Sequence, residues 1–80
     1  MNVKKINELA DINTIKKSIL VDVDTNKYFV IELTDGNILF VNNNTRMFDD
    51  LIKLDNLEGV GIKKFKTKTK EFFKVGVDFE

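Results

Sequence analysis

The sequence predicts a small α+β domain in the order α-β-β-β-α-β-β, with a mostly antiparallel sheet packed by its second helix. Three observations predict this fold. Apolar residues recur at helical spacing from Val3 to Ala10, and again from Met47 to Leu54. Between these segments apolar residues alternate with polar ones, which is the period of a half-buried strand. A second alternating region follows Gly59 and predicts a C-terminal β-hairpin.

Length and composition limit this architecture to one domain, residues 1–80. The chain has 80 residues, 42% of them hydrophobic, with no Cys, His or Pro. It therefore builds one modest core without disulfides or thiolate metal sites, and we expect no cofactor. No stretch has the apolar length of a signal peptide or a membrane span, so we expect a cytoplasmic protein that does not bind membranes.

The N-terminal segment is predicted to be a short helix. Its apolar residues Val3, Ile6, Leu9 and Ala10 are spaced to share one helical face. The pattern also permits the helix to continue as far as Ile15.

The first two strands of the predicted meander are joined after Asp24. Asp24-Thr25-Asn26 is predicted as a three-residue loop, with Asn26 in the left-handed conformation that Asn tolerates. This loop would set Val21 opposite Phe29.

The second and third strands are joined by Asp35-Gly36, which suits a two-residue type I′ turn. This turn would set Leu33 opposite Ile38. The resulting meander is apolar on both sides, so each side needs a cover. One side would carry Ile19, Val21, Phe29, Ile31, Leu33, Ile38 and Phe40, and the other Leu20, Tyr28, Val30, Leu39 and Val41.

An amphipathic helix is predicted next, running to about Asp55. Asn44 or Thr45 can accept a hydrogen bond from its first free amides. At 100° per residue its apolar side consists of Met47, Phe48, Leu51, Ile52 and Leu54.

The C-terminal hairpin is predicted from Val60 to Lys66 and from Lys70 to Phe79, with Thr67-Lys68-Thr69 in the turn. Strict alternation in its second strand predicts which side is buried. That side consists of Phe73, Val75, Val77 and Phe79.

Catalytic chemistry has few candidates in this composition. Nucleophilic catalysis that depends on Cys or His is excluded, and the single serine, Ser18, has no recognisable base nearby. The carboxylate pairs Asp22/Asp24 and Asp49/Asp50 would serve as acid and base only if burial perturbed them. Charged residues that flank apolar alternation more often form a solvated face, so we expect no enzyme.

Two short motifs resemble ligand loops but are incomplete. Residues 22–26 match the opening of a calcium loop, yet Lys27 stands where such loops need Gly and Leu33 where they need Glu. Gly59-Val60-Gly61 lacks the remaining residues of a phosphate-binding loop and is interpreted as a turn into a strand. The sequence therefore predicts no metal site.

The strongest asymmetry is a basic segment between residues 63 and 74. It contains six lysines against Glu71, a net charge of +5, although the whole chain is neutral. If Ile62 pairs with Val75, two phenylalanines share one face with lysines around them, which suits phosphate binding and base stacking. Alternatively, the lysines keep the hairpin soluble and the phenylalanines are core. The candidate residues are Lys63, Lys64, Phe65, Lys66, Lys68, Lys70, Phe72 and Lys74.

Three functions follow from this pattern. The first is a non-enzymatic protein-binding inhibitor from a phage or mobile element, acting on a host or defence protein. Abundant Lys, Asn, Ile and Phe, which have AT-rich codons, indicate an AT-rich genome, such as that of a low-GC bacterium or its phage. The second is a nucleic-acid-binding accessory or regulatory module that uses the basic hairpin, and the third, weakest, is a carboxylate-dependent enzyme. The two-sided apolar meander also predicts a homodimer, unless the N-terminal segment covers the second side.

Overall fold

The computed structural model of the protein describes residues 2–76, and more than half of these lie in strands. The strands form one mixed sheet in the order β1-β4-β3-β2-β5-β6. The predicted α+β fold, with two helices and a three-stranded meander, is therefore wrong. The elements are β1 (Asn2–Lys4), a single 3-10 turn (Ile6–Glu8), β2 (Ile12–Val23), β3 (Asn26–Leu33), β4 (Asn37–Asn42), α1 (Arg46–Ile52), β5 (Gly61–Lys66) and β6 (Glu71–Gly76).

The N-terminal segment is not a helix. β1 pairs in parallel with β4, with Val3 opposite Ile38, and the 3-10 turn follows. An isolated helix of eight residues is marginal, whereas the open edge of β4 offers backbone groups that need partners. Leu9 is buried and Ile6 packs against the same core. The helical spacing therefore reflects the core contacts of an irregular segment.

β2 is the longest strand and changes partners along its length. Residues 15–23 pair with β3, while residues 12–14 pair with β5, and the register is irregular between Ile15 and Lys17. At this irregularity the Ile15 N–H donates to the Val60 carbonyl, and the Ile15 carbonyl accepts from the Gly59 N–H, both at 2.8 Å. The strand bends at this point, because an irregularity in the register interrupts the regular pairing and bends the strand that carries it.

The predicted register between β2 and β3 is wrong by one residue. The connection is Asp24-Thr25 alone, and Asp24, rather than Asn26, has the positive φ of 56°. Val21 consequently lies opposite Tyr28. Both Asp and Asn tolerate this conformation, so composition could not decide which of them adopts it.

The predicted register between β3 and β4 is also wrong by one residue. A type I′ turn needs two positive φ angles, but here Gly36 alone has one, at 91°. The Asp35 carboxylate instead accepts from the Asn37 N–H at 3.0 Å, which lengthens the loop to three residues. Ile38 consequently lies opposite Glu32.

The two one-residue shifts turn β3 over relative to its neighbours, because a slip of one residue moves every side chain to the other face. We call the face that packs against α1 the inner face, where Phe29 and Phe48 have ring centroids 5.1 Å apart. Its β2–β4 residues are Leu20, Phe29, Ile31, Leu33, Leu39 and Val41. We call the opposite side the outer β2–β4 face, and its apolar residues are Ile19, Val21, Tyr28, Val30, Ile38 and Phe40.

α1 begins where the sequence predicts and ends earlier. The Thr45 hydroxyl accepts from the Phe48 N–H at 3.3 Å, which confirms one of the two predicted caps. The helix ends at Ile52 instead of near Asp55. Of its predicted apolar side, Met47, Phe48 and Leu51 are buried, whereas Ile52 and Leu54 are exposed. No helix among residues 2–76 has the length and apolar character needed to cross a membrane.

Candidate nucleic-acid interface

The C-terminal hairpin is confirmed, and its register is the predicted one. Ile62 lies opposite Val75, so Phe65 lies opposite Phe72 on the other side of the hairpin. Phe73 and Val75 pack against the core, as predicted. The two further residues predicted for that side, Val77 and Phe79, lie outside the described residues.

Two phenylalanine rings stack on the outward side of β5 and β6. The centroids of Phe65 and Phe72 are 5.6 Å apart and their planes differ by 15°. Both residues are half-buried and neither belongs to the core. The interpretation of these two phenylalanines as core residues is therefore wrong.

Three ammonium groups surround this ring pair. The Lys63 Nζ lies 5.3 Å from the Phe65 centroid, and the Lys70 Nζ lies 5.9 Å from the Phe72 centroid. The Lys74 Nζ lies 5.5 Å from the Phe65 centroid and 5.8 Å from the Phe72 centroid. These are cation–π distances. We call this set the aromatic platform: Lys63, Phe65, Lys70, Phe72 and Lys74.

The other three predicted lysines lie elsewhere. Lys64 lies opposite Phe73 on the inner side, with its Nζ 6.0 Å from that ring. Lys66 forms a salt bridge with Glu71 at 3.5 Å. Lys68 is exposed in the turn. The structure therefore brings together five of the eight predicted site residues.

Backbone and turn hydrogen bonds hold the platform in place. The Lys64 N–H donates to the Asp11 carbonyl at 2.8 Å, which fastens β5 to the start of β2. At the other end, the Thr67 hydroxyl accepts from the backbone N–H of Thr69 at 3.4 Å and of Lys70 at 3.2 Å. These hydrogen bonds from the backbone to the Thr67 side chain close the turn, and they position the Lys70 backbone relative to Phe72.

The structure places the predicted carboxylate pairs at a hairpin and on a helix: Asp22 and Asp24 lie at the end of β2, and Asp49 and Asp50 lie in α1. Asp22 lies 3.9 Å from the Lys27 Nζ, within a hairpin rather than a calcium loop. Among residues 2–76 no three acidic side chains come together as a metal-binding group. The absence of a bound metal stays a prediction. Gly59-Val60-Gly61 is a turn into β5, as predicted.

A second basic feature, which the sequence did not predict, lies beside the platform. A cleft of about 680 Å³ separates α1 from β6. The sequence does put Arg46 and Lys53 on the polar side of the helix, but only the packing of α1 beside β6 brings them near the hairpin. We call this the α1–β6 cleft, lined by Arg46, Asp50, Lys53, Leu54, Lys70, Phe72, Phe73, Lys74 and Val75.

Comparison with protein families, curated proteins and solved structures finds no match to this chain. Stacked aromatic rings with ammonium groups beside them suit a ligand that has both π faces and negative charge.

Proposed function

We propose that the protein binds single-stranded nucleic acid on the aromatic platform. The observation that supports this is the stacked Phe65–Phe72 pair, with three ammonium groups 5.3 to 5.9 Å from its ring centroids. Unpaired bases stack on aromatic side chains, and each such contact contributes about 1–3 kcal/mol. Lysine ammonium groups beside the rings are suited to the phosphates that connect those bases.

The distribution of charge supports the same ligand. Residues 63–74 carry a net charge of +5 in a chain whose net charge is zero. The rest of the chain therefore carries a net charge of −5, and the hairpin is the most basic segment of the sequence. Such a charge dipole orients an approaching nucleic acid toward the hairpin.

We expect Phe65→Ala and Phe72→Ala each to weaken binding of a labelled single-stranded oligonucleotide by about 5- to 150-fold, the equivalent of 1–3 kcal/mol. Fluorescence anisotropy at low salt measures this loss, with DNA and RNA oligonucleotides tested separately. Wild-type affinity should also fall steeply between about 50 and 200 mM salt, because the release of counterions from the phosphates becomes less favourable as the bulk salt concentration rises.

The matched control is Phe40→Ala on the outer β2–β4 face, where Phe40 is 48% exposed. This variant should bind like the wild type, since its ring is remote from the hairpin along the sheet order. Failure of the wild-type protein to bind any single strand at low salt would refute the proposal. Equal affinity of the Phe65, Phe72 and Phe40 variants would refute it as well.

A second candidate function is protein binding through the outer β2–β4 face, in keeping with the inhibitor hypothesis. Ile19 is 64% exposed and Phe40 is 48% exposed there. Ile6 and Leu9 pack against the core that α1 also covers, and of the outer β2–β4 face Ile38 is buried beside β1 while Ile19 and Phe40 stay exposed. Adjacent exposed apolar side chains on a sheet are typical of a surface that meets another protein.

We expect this face to pair two copies of the chain at micromolar concentration. Sedimentation equilibrium should then give about twice the monomer mass of 9.2 kDa. Ile19→Asp or Val30→Asp should return the monomer, because each places a charge in the apolar contact. Val41→Asp should instead unfold the chain, since Val41 is buried on the inner face. A wild-type monomer throughout the concentration range would contradict the dimer.

A further inference from the structure

We infer that the bound strand continues from the aromatic platform over the free edge of β6 and into the α1–β6 cleft, where Arg46 and Lys53 bind its phosphates. This inference depends on the proposed function, because the platform must first hold the strand. The cleft is then a second part of the same binding site. The ligand is a flexible single strand that is longer than the platform alone can hold.

The edge of β6 is open on the side of the cleft. β6 ends the sheet, and among residues 2–76 no strand pairs with its other edge. The Lys64 N–H donates to Asp11 and so points away from β6. In an antiparallel pair the partner residue points its backbone groups the opposite way, so Phe73, which also lines the cleft, directs its N–H and carbonyl away from β5 toward the outer edge of the sheet. A backbone N–H at this position is a donor for a phosphate oxygen.

Among residues 2–76, the cations that line the cleft outnumber its carboxylates. Arg46, Lys53, Lys70 and Lys74 line it, against the single carboxylate of Asp50. None of these four cations forms a salt bridge with another residue between 2 and 76, although Lys66 on the same hairpin does. Four cations around one carboxylate complement a polyanion.

The cleft and the platform share residues. Lys70 and Lys74 contact the stacked rings and also line the cleft, so the two sites meet along β6. A single strand bends easily over such an edge and exposes its bases for stacking. A duplex keeps its bases paired and is stiff over about 150 base pairs, so it cannot follow this path.

The experiment compares Arg46→Gln/Lys53→Gln with the wild type on oligonucleotides of increasing length, from a trinucleotide upward. Wild-type affinity should rise with length as the strand reaches the cleft, and the double variant should lose most of that gain. For a strand that spans both parts we expect a loss of about tenfold or more at low salt. The slope of log affinity against log salt should flatten by about 1.4, since each lost phosphate contact contributes about 0.7.

The matched control is Lys5→Gln/Lys16→Gln, which removes the same charge from exposed lysines outside the hairpin and the cleft. It should retain both the length dependence and the salt slope of the wild type. Thermal melting of both double variants should match the wild type, because Arg46 and Lys53 are exposed too.

Two results would overturn the inference. If Arg46→Gln/Lys53→Gln binds long strands like the wild type while Phe65→Ala does not, the cleft is not part of the site and the proposed function stands. Absence of oligonucleotide binding by the wild type would remove the proposed function together with the inference.

Discussion

Replacing Ile31 by Ala is expected to lower the free energy of unfolding by about 2–5 kcal/mol, because Ile31 is fully buried and its loss leaves a cavity. The stability of a chain of this length is about 4–12 kcal/mol, so this variant would be close to unfolding. Urea denaturation followed by circular dichroism measures the change.

The matched control for this variant is Ile19→Ala, which removes the same atoms from a side chain that is 64% exposed. It should cost less than about 1 kcal/mol when measured at a concentration that keeps the protein monomeric. The pair tests the register, since the sequence-based register places Ile19 and Ile31 on the same side of the sheet. Equal losses would contradict the register of β2 against β3.

Charge reversal at Lys63 and Lys74 is expected to reduce oligonucleotide affinity on the order of 100-fold at low salt. Their ammonium groups lie 5.3 and 5.5 Å from the Phe65 ring centroid, so reversal places carboxylates where the phosphates would bind. Anisotropy titration of Lys63→Glu/Lys74→Glu against the wild type measures the loss.

The comparison variant is Lys66→Glu/Lys68→Glu, which changes the net charge of the same hairpin equally. Lys66 is already paired with Glu71 and Lys68 lies in the turn, so we expect a loss several-fold smaller. The sequence alone treats these lysines as equivalent to Lys63 and Lys74. Equal losses in both variants would show that net charge matters and that the platform geometry does not.

The candidate site was predictable where it depends on local structure. A hairpin brings together residues that are close in sequence, so the pairing of Ile62 with Val75 was enough to place Phe65 beside Phe72. The same reasoning could not find the cleft. Arg46 and Lys70 are 24 positions apart, and they share a cleft only because α1 packs beside β6.

Features that depend on neighbouring residues follow from the sequence. Alternation placed strands on both sides of the Asp24 and Gly36 turns, and Asn44 and Thr45 predicted the start of α1, where the Thr45 hydroxyl accepts from an amide three residues later. Composition excluded chemistry that depends on Cys or His, because the chain contains neither. These conclusions need no knowledge of where distant segments lie.

The strand partners of β1 and β2 and the registers of β3 depend on contacts between segments that are distant in sequence. β1 is a strand because β4 has an open edge beside it, and β2 bends because Ile15 bonds to the Gly59–Val60 backbone. The register of β3 depends on which residue of each loop adopts a positive φ. Conformations of similar energy are available to each loop, so the loop sequence does not select between them. Burial of Ile31 and Leu39 against α1 favours one choice, since a one-residue slip would expose them.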